Sequence, residues 1–199
     1  MFTWNLPLQF SKFQTHLAIS QTFKVCLKPY RFMIFYMPAN LKDLFNSIPH
    51  PGRVEWMSIR PERNVPVQVV EQVTITETNG LTGDHYSGQN GKRHITLIQA
   101  EHLPAIASFA GLSEIDPALL RRNIVVSGLN LLALKGQQFR LGSEVVLEHT
   151  GECHPCSKME TALGEGGYNA LRGHGGITAR VIQGGQVRVG DAVTFIQPV

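Results

Sequence analysis

Gly176-Ile177-Thr178-Ala179-Arg180-Val181-Ile182-Gln183-Gly184-Gly185-Gln186-Val187-Arg188-Val189 is the stretch on which the fold class turns. β-Branched residues recur on both sides of Gly184-Gly185, and two adjacent glycines accept the positive φ of a two-residue hairpin turn. The pattern predicts a hairpin of 176–183 against 186–189, with 191–196 completing a meander. Further back, strand-like runs recur at close spacing. Residues 54–59 end at Arg60-Pro61, and 69–77 alternate through Val69, Glu71, Val73 and Ile75 before Thr78-Asn79-Gly80. Residues 93–99, 123–126, 138–141 and 144–148 read the same way. Two short helices interrupt them. One covers 100–110, with Pro104 in its first turn and Gly111 as its stop; the other has Asp116 as N-cap, Pro117 at N1 and an end near Arg122. At least seven short strands predict a mainly β protein, a β-barrel with a few short helices, rather than a parallel α/β sheet.

The composition bounds the function classes. The chain has 199 residues, 18 basic and 15 acidic, for a net charge of +3, so nothing points to a nucleic-acid partner. The longest uninterrupted apolar run, Phe32 to Met37, is far short of the ~20 residues a membrane helix needs. Three cysteines make no disulfide framework, which suits a soluble, cytoplasmic protein without a membrane partner. Charge is uneven along the chain. Residues 1–36 hold 4 basic residues, no Asp, Glu or Gly, and 6 of the 10 Phe. The 18 basic residues less those 4 leave 14 against 15 acidic ones, so 37–199 carries −1. The break sets off 1–36 as an atypical extension, and Met37-Pro38-Ala39-Asn40-Leu41 reads as the expected true start of a single domain over 37–199.

Chemistry-bearing residues concentrate in Thr150-Gly151-Glu152-Cys153-His154-Pro155-Cys156-Ser157-Lys158. The CxxC spacing leaves three readings open: ordinary loop thiols, half of a metal site, or a reactive sulfur that carries a persulfide or ligates a soft metal. A helix starting after Pro155 and Lys158 nearby favour Cys156 as the reactive thiol, with Cys153 as a resolving thiol. Next come six glycines within 164–176, together with Arg172 and His174. They suit an oxyanion or phosphate site, or simply a tight connector. Asp84 and His85 stand in a glycine-flanked loop, either as displayed site residues or as an Asx turn with a solvated histidine. Arg121-Arg122-Asn123 either complements a helix end or holds an anion.

Taken in order, Gly80-Leu81-Thr82-Gly83-Asp84, Arg93-His94-Ile95-Thr96-Leu97, Arg122-Asn123-Ile124-Val125-Val126, Gly142 to Val145, Pro155-Cys156 and Val189-Gly190-Asp191 to Val193 resemble the MOSC domain. That is the C-terminal domain of molybdenum-cofactor sulfurases. The likeness runs from about Gly52 to Val193, and it extends to small stand-alone members similar to bacterial hydroxylaminopurine-resistance proteins and to the C-terminal part of the amidoxime-reducing component. The resemblance implies a β-barrel and one key cysteine, mapped onto Cys156, which bears a persulfide or ligates molybdenum. It implies a sulfur carrier or transferase, or a binder of molybdenum cofactor (molybdopterin), with a molybdoenzyme or reductase as partner. Arg122, Asn123, Lys158, Arg172, His174, Asp84 and His85 are then the candidate cofactor-binding residues. No pyridoxal-phosphate desulfurase domain is present in the sequence, so pyridoxal phosphate is not expected in this chain. A different class stays open beside it: a non-catalytic binding module whose CxxC holds zinc or no metal.

Overall fold

The computed structural model describes residues 40–86 and 91–197. The extension over 1–36 and the expected start at Met37 lie outside them.

Eleven strands and four short α-helices follow the chain. A five-residue helix α1 (Leu41–Phe45) is closed by a capping box between Asn40 and Asp43. The strands are β1 (Gly52–Ile59), β2 (Gln68–Val69), β3 (Gln72–Thr76), β4 (Gly80–Leu81), β5 (Ile95–Gln99), β6 (Ile124–Ser127), β7 (Gln138–Leu141), β8 (Val145–Glu152), β9 (Ile177–Gln183), β10 (Gly185–Arg188) and β11 (Ala192–Phe195). Helix α2 (His102–Phe109) and a 3₁₀ turn (Pro117–Leu120) lie between β5 and β6, and α3 (Ser157–Leu163) and α4 (Gly167–Ala170) lie between β8 and β9.

Seven strands close a barrel in the order β1-β11-β7-β8-β9-β5-β6 and back to β1. Closure runs through Gly52 opposite Val193, and a bulge between Val54 and Trp56 bends β1 so that it also reaches β6. The inward faces of the strands fill the barrel: Val54, Leu97, Ile124, Phe139, Leu147 and Val193 are fully buried. Among the described residues only β5 and β6 pair in parallel. The reason is legible in Ile124-Val125-Val126, buried throughout. Ile124 and Val126 join the barrel core, while Val125 and Ile98 pack beneath α2, α3 and α4 with Ile106, Met159 and Leu171. A strand covered on both faces reads as a continuous apolar run, and parallel pairing follows its crossover helix.

The predicted hairpin at Gly184-Gly185 does not form. β9 is already flanked by β8 and β5, so neither of its edges is free for β10. The chain leaves the barrel instead: Gly184 N–H donates to Glu77 Oε1 at 2.8 Å, and β10 pairs with β3, Val187 opposite Val73, in a small second sheet β10-β3-β4. The predicted meander fails for the same reason, because β11 pairs with β7 and β1 rather than with β10. The run 69–77 is also divided. Gln68 and Val69 pair with the end of β1, and pairing with β10 begins only at Gln72. The helix after Asp116 is a single 3₁₀ turn, capped by Asp116 Oδ1 accepting from Ala118 N–H at 2.9 Å. Among the described residues no helix is long and apolar enough to cross a membrane.

Candidate functional site

Where β1 ends and β5 and β6 begin, strand ends converge on a cavity of about 230 Å³. Arg60 follows β1, Thr96 belongs to β5, Arg121 and Asn123 precede β6, Thr178 lies on β9, and Cys153 follows β8. The loop after β4 contributes Asp84, His85 and Tyr86, and Arg93 completes the wall.

Asn123 organises this rim. Its Oδ1 accepts from Thr96 N at 3.1 Å and from Thr96 Oγ1 at 2.7 Å, and its Nδ2 donates to Asp84 Oδ2 at 2.8 Å. Asp84, whose side chain is 8% exposed, also accepts from Tyr86 N–H at 3.0 Å and Arg60 N–H at 3.3 Å. The Asx turn and the site residue are therefore the same residue: Asp84 fixes its own loop while it faces the cavity. His85 Nδ1 donates to Arg60 O at 2.9 Å, which ties the end of β1 to the loop, and His85 is part of the cavity wall.

Three guanidiniums face this space against one carboxylate. Among the described residues none of Arg60, Arg93 or Arg121 forms an ion pair. Burial and the neighbouring Arg121 charge depress the Arg60 pKa, and the Asp84 carboxylate pulls against them. Arg121 is held in the left-handed region (φ 59°, ψ 35°), a conformation that costs a non-glycine residue about 1–3 kcal/mol.

Arg122 does something else. It is 6% exposed, and its Nε, Nη1 and Nη2 donate to Gly175 O at 2.6 Å, Leu120 O at 2.8 Å and Cys153 O at 3.0 Å. Those bonds make it a clamp between the CxxC segment and the glycine-rich loop, and three of its donors are spent on backbone carbonyls. The clamp needs Gly175, where a Cβ would run into Cys153 O and stand 3.0 Å from Arg122 Nη2.

Both thiols are free, Cys153 half-buried in the cavity wall and Cys156 exposed. Burial pushes the Cys153 thiol above its ordinary 9.0, while the Arg122 and Arg93 guanidiniums pull against it. Cys156 is the N-cap residue of α3, the position expected from Pro155, although its side chain makes no capping hydrogen bond.

Of the residues singled out in the sequence, Asp84, His85, Asn123 and Cys153 come together around the cavity. Cys156, Lys158, Arg172 and His174 do not line it, and neither does Arg122, which is the clamp. Lys158 Nζ donates to Asn64 Oδ1 at 2.6 Å in a neighbouring groove. Arg172 is exposed, with Nη1 3.5 Å from Asn169 Oδ1. His174 packs edge-on against His102, ring centroids 4.9 Å apart, beneath α2. The glycine-rich loop touches the Cys153 side of the CxxC segment, because Cys153 N–H donates to Gly176 O at 2.8 Å. Sequence reasoning missed Arg60, Arg93 and Arg121 as a set. Arg93 and Arg121 stand inside motifs already singled out, whereas Arg60 carried no signal beyond ending a strand.

This barrel, with its polar rim and a CxxC beside it, agrees with the comparisons. The MOSC domain model matches residues 71–194, and the chain belongs to that family. Among solved structures it is similar to the YUAD protein from Bacillus subtilis, at 21% identity and a TM-score of 0.66 over 75% of this chain and 98% of that one. It is also similar to YiiM from Geobacillus stearothermophilus (15% identity, TM-score 0.59, 73% and 75% of the two chains) and YiiM from Escherichia coli (21%, 0.57, 74% and 71%). At these identities the likeness concerns the fold. No curated protein sequence matches the chain.

Proposed function

We propose that this MOSC-domain protein binds molybdenum cofactor in the cavity framed by Arg60, Arg93 and Arg121, with a cysteine of the CxxC as the soft ligand. One observation carries the reading: three guanidiniums that form no salt bridge among the described residues line one cavity with the Cys153 thiol, three residues before Cys156. Molybdopterin is an anion through its phosphate and offers a soft metal, and guanidinium forks and thiolate are the matching donors. The residues present therefore fit the group. When bound, it supplies a molybdenum centre competent for two-electron exchange of an oxygen or sulfur atom with a small molecule.

The protein's own residues do the rest. Arg60, Arg93 and Arg121 would hold the phosphate. Asn123 and Thr96 keep the Asp84 loop at its station, and His85 Nδ1 ties that loop to Arg60 O at the end of β1. Cys156, exposed at the start of α3 and not among the residues that line the cavity, is the proposed metal ligand, and Cys153, which does line it, is the resolving thiol for a persulfide on Cys156. A molybdoenzyme or reductase is the partner this reading calls for.

A second reading rests on the exposure of Cys156 beside a second thiol: a sulfur carrier that bears a persulfide there. Zinc draws less support, since among the described residues no three His, Cys, Asp or Glu side chains converge as a cage. Protein purified from molybdenum-replete cells should yield pterin fluorescence after oxidation and stoichiometric molybdenum, both reduced at least about tenfold by Arg121→Ala. Absence of pterin together with the mass of one extra sulfur on Cys156 would replace the cofactor reading by the carrier. Stoichiometric zinc would remove both.

A further inference from the structure

Beside the cavity runs a second, larger hollow of about 480 Å³, bounded by the loop after β1, the 3₁₀ turn and α3. Arg60 and Arg121 belong to both spaces, so the two share a wall. The lining also includes the apolar side chains of Val65, Val67 and Leu119 and the fully buried Met159. Leu119 is 43% exposed, an apolar side chain left facing the hollow. Lys158 lines the groove too, and its bond to Asn64 Oδ1 occupies one of its three donors. Among the described residues no carboxylate lines this groove, and Arg60, Arg121 and Lys158 have no ion-pair partner.

We propose that this groove binds a small organic carboxylate with an apolar body, its head toward Arg60, Arg121 and Lys158 and its body along Val65, Val67 and Leu119. The size selects a small molecule rather than a polypeptide, since small-ligand sites span roughly 300–1,000 Å³. The charge selects an anion: three cations line the groove with no carboxylate among its described lining, and an arriving carboxylate would relieve their mutual repulsion. The apolar walls reject a fully polar anion such as free phosphate, because filling them with a hydrated group gains nothing. Asn64, at φ 66°, holds the loop in the conformation that brings its Oδ1 to Lys158. As a binding site the groove stands on these residues alone. As the place where a substrate meets the reactive centre it rests on the proposed cofactor reading, because the shared arginines would set the carboxylate beside that cofactor.

Calorimetric titration of the full chain with octanoate, octanol and acetate tests the site. Octanoate should bind, with octanol and acetate each at least about tenfold weaker, since one lacks the charge and the other the body. Lys158→Glu and Leu119→Asp, both at exposed positions, should each weaken octanoate about tenfold or more. Arg172→Ala, exposed and outside both spaces, should leave octanoate binding unchanged. Equal affinity for octanoate and octanol, no binding of octanoate, or a loss in Arg172→Ala without one in Lys158→Glu would each overturn the proposal. Pterin content measured on the same preparations keeps the two readings apart. Protein without pterin that still binds octanoate through Lys158 refutes the cofactor and leaves the groove.

Discussion

Arg121 and Arg122 carry the same charge one residue apart, and the left-handed backbone at Arg121 sends their side chains to different places. Arg121 reaches the wall between cavity and groove, while Arg122 turns inward and spends three donors on carbonyls of Leu120, Cys153 and Gly175. A buried guanidinium without a carboxylate is tolerated because hydrogen bonds to charged groups are worth about 1.5–3 kcal/mol each. The same clamp holds Cys153 in the cavity wall, where burial keeps its thiol protonated. Thiolate is the nucleophile, so Cys153 should be slow toward iodoacetamide at neutral pH and accelerate only above its ordinary 9.0. Exposed Cys156 should label first. In native protein at pH 7.5 to 8, Cys156→Ser is expected to cut the rate at least about tenfold and Cys153→Ser to leave it nearly unchanged, since the first thiol is exposed and burial holds the second protonated. Peptide mass spectrometry scores Cys26 separately, and unfolded protein should label every thiol alike. A fast native thiol that survives Cys156→Ser and disappears with Cys153→Ser would reverse the assignment.

Strands were legible one at a time, and their partners were not. The alternation in 72–76 and the apolar run 124–126 are local properties of the chain, and both became strands. Pairing is decided by which edges are vacant, and barrel closure leaves β9 none for β10. That is why Gly184-Gly185 reads as a hairpin turn and acts as a crossing between two sheets. The site divides the same way. Asp84, His85, Asn123 and Cys153 lie in compact motifs and were readable there, whereas Arg60 meets Arg93 and Arg121 only because β1 closes against β6. Glycines at such crossings bear the load of the architecture. Gly176 sits at φ +81° just before β9, and a Cβ there would run into Leu97 O and stand 2.8 Å from Ile98 Cα. Since those are backbone atoms of β5, no rotamer change relieves the overlap. Gly176→Ala should therefore cost more than about 4 kcal/mol, a large share of a typical 5–15 kcal/mol stability. Gly136, at φ +69° with nothing within 4 Å of an added Cβ, is the control. Its Ala variant should lose only about 1–2 kcal/mol from the backbone conformation. Urea midpoints of the two variants test this, and equal losses would show that β5 and β9 give way more easily than their packing implies.

At the scale of the molecule, three histidines couple the packing to proton uptake. His94 is buried at the start of β5, His149 is buried in β8, and His102 opens α2. Burial is the main cause that lowers all three pKa values from 6.5, with the Arg180 charge a further cause at His94. The structure uses the neutral rings: His94 Nδ1 accepts from Val181 N–H at 3.3 Å and His149 Nδ1 accepts from Gly136 N–H at 3.4 Å. A protonated ring would turn each acceptor into a donor facing a donor. Because the folded values lie below the unfolded one, the unfolded chain binds protons first as pH falls. The stability contributed by the neutral rings is therefore complete above pH 6.5 and is lost as pH drops through the folded values. Urea unfolding should give a level stability near neutrality and a decline below pH 6.5. His94→Asn places an acceptor near Val181 N–H without a titrating ring, so its decline should be shallower by close to one proton. The neutral-pH stability of that variant separates the two parts of the effect, packing and titration. A slope below pH 6.5 identical to that of the parent would show that His94 takes up its proton without opening the β8-β9-β5 wall of the barrel.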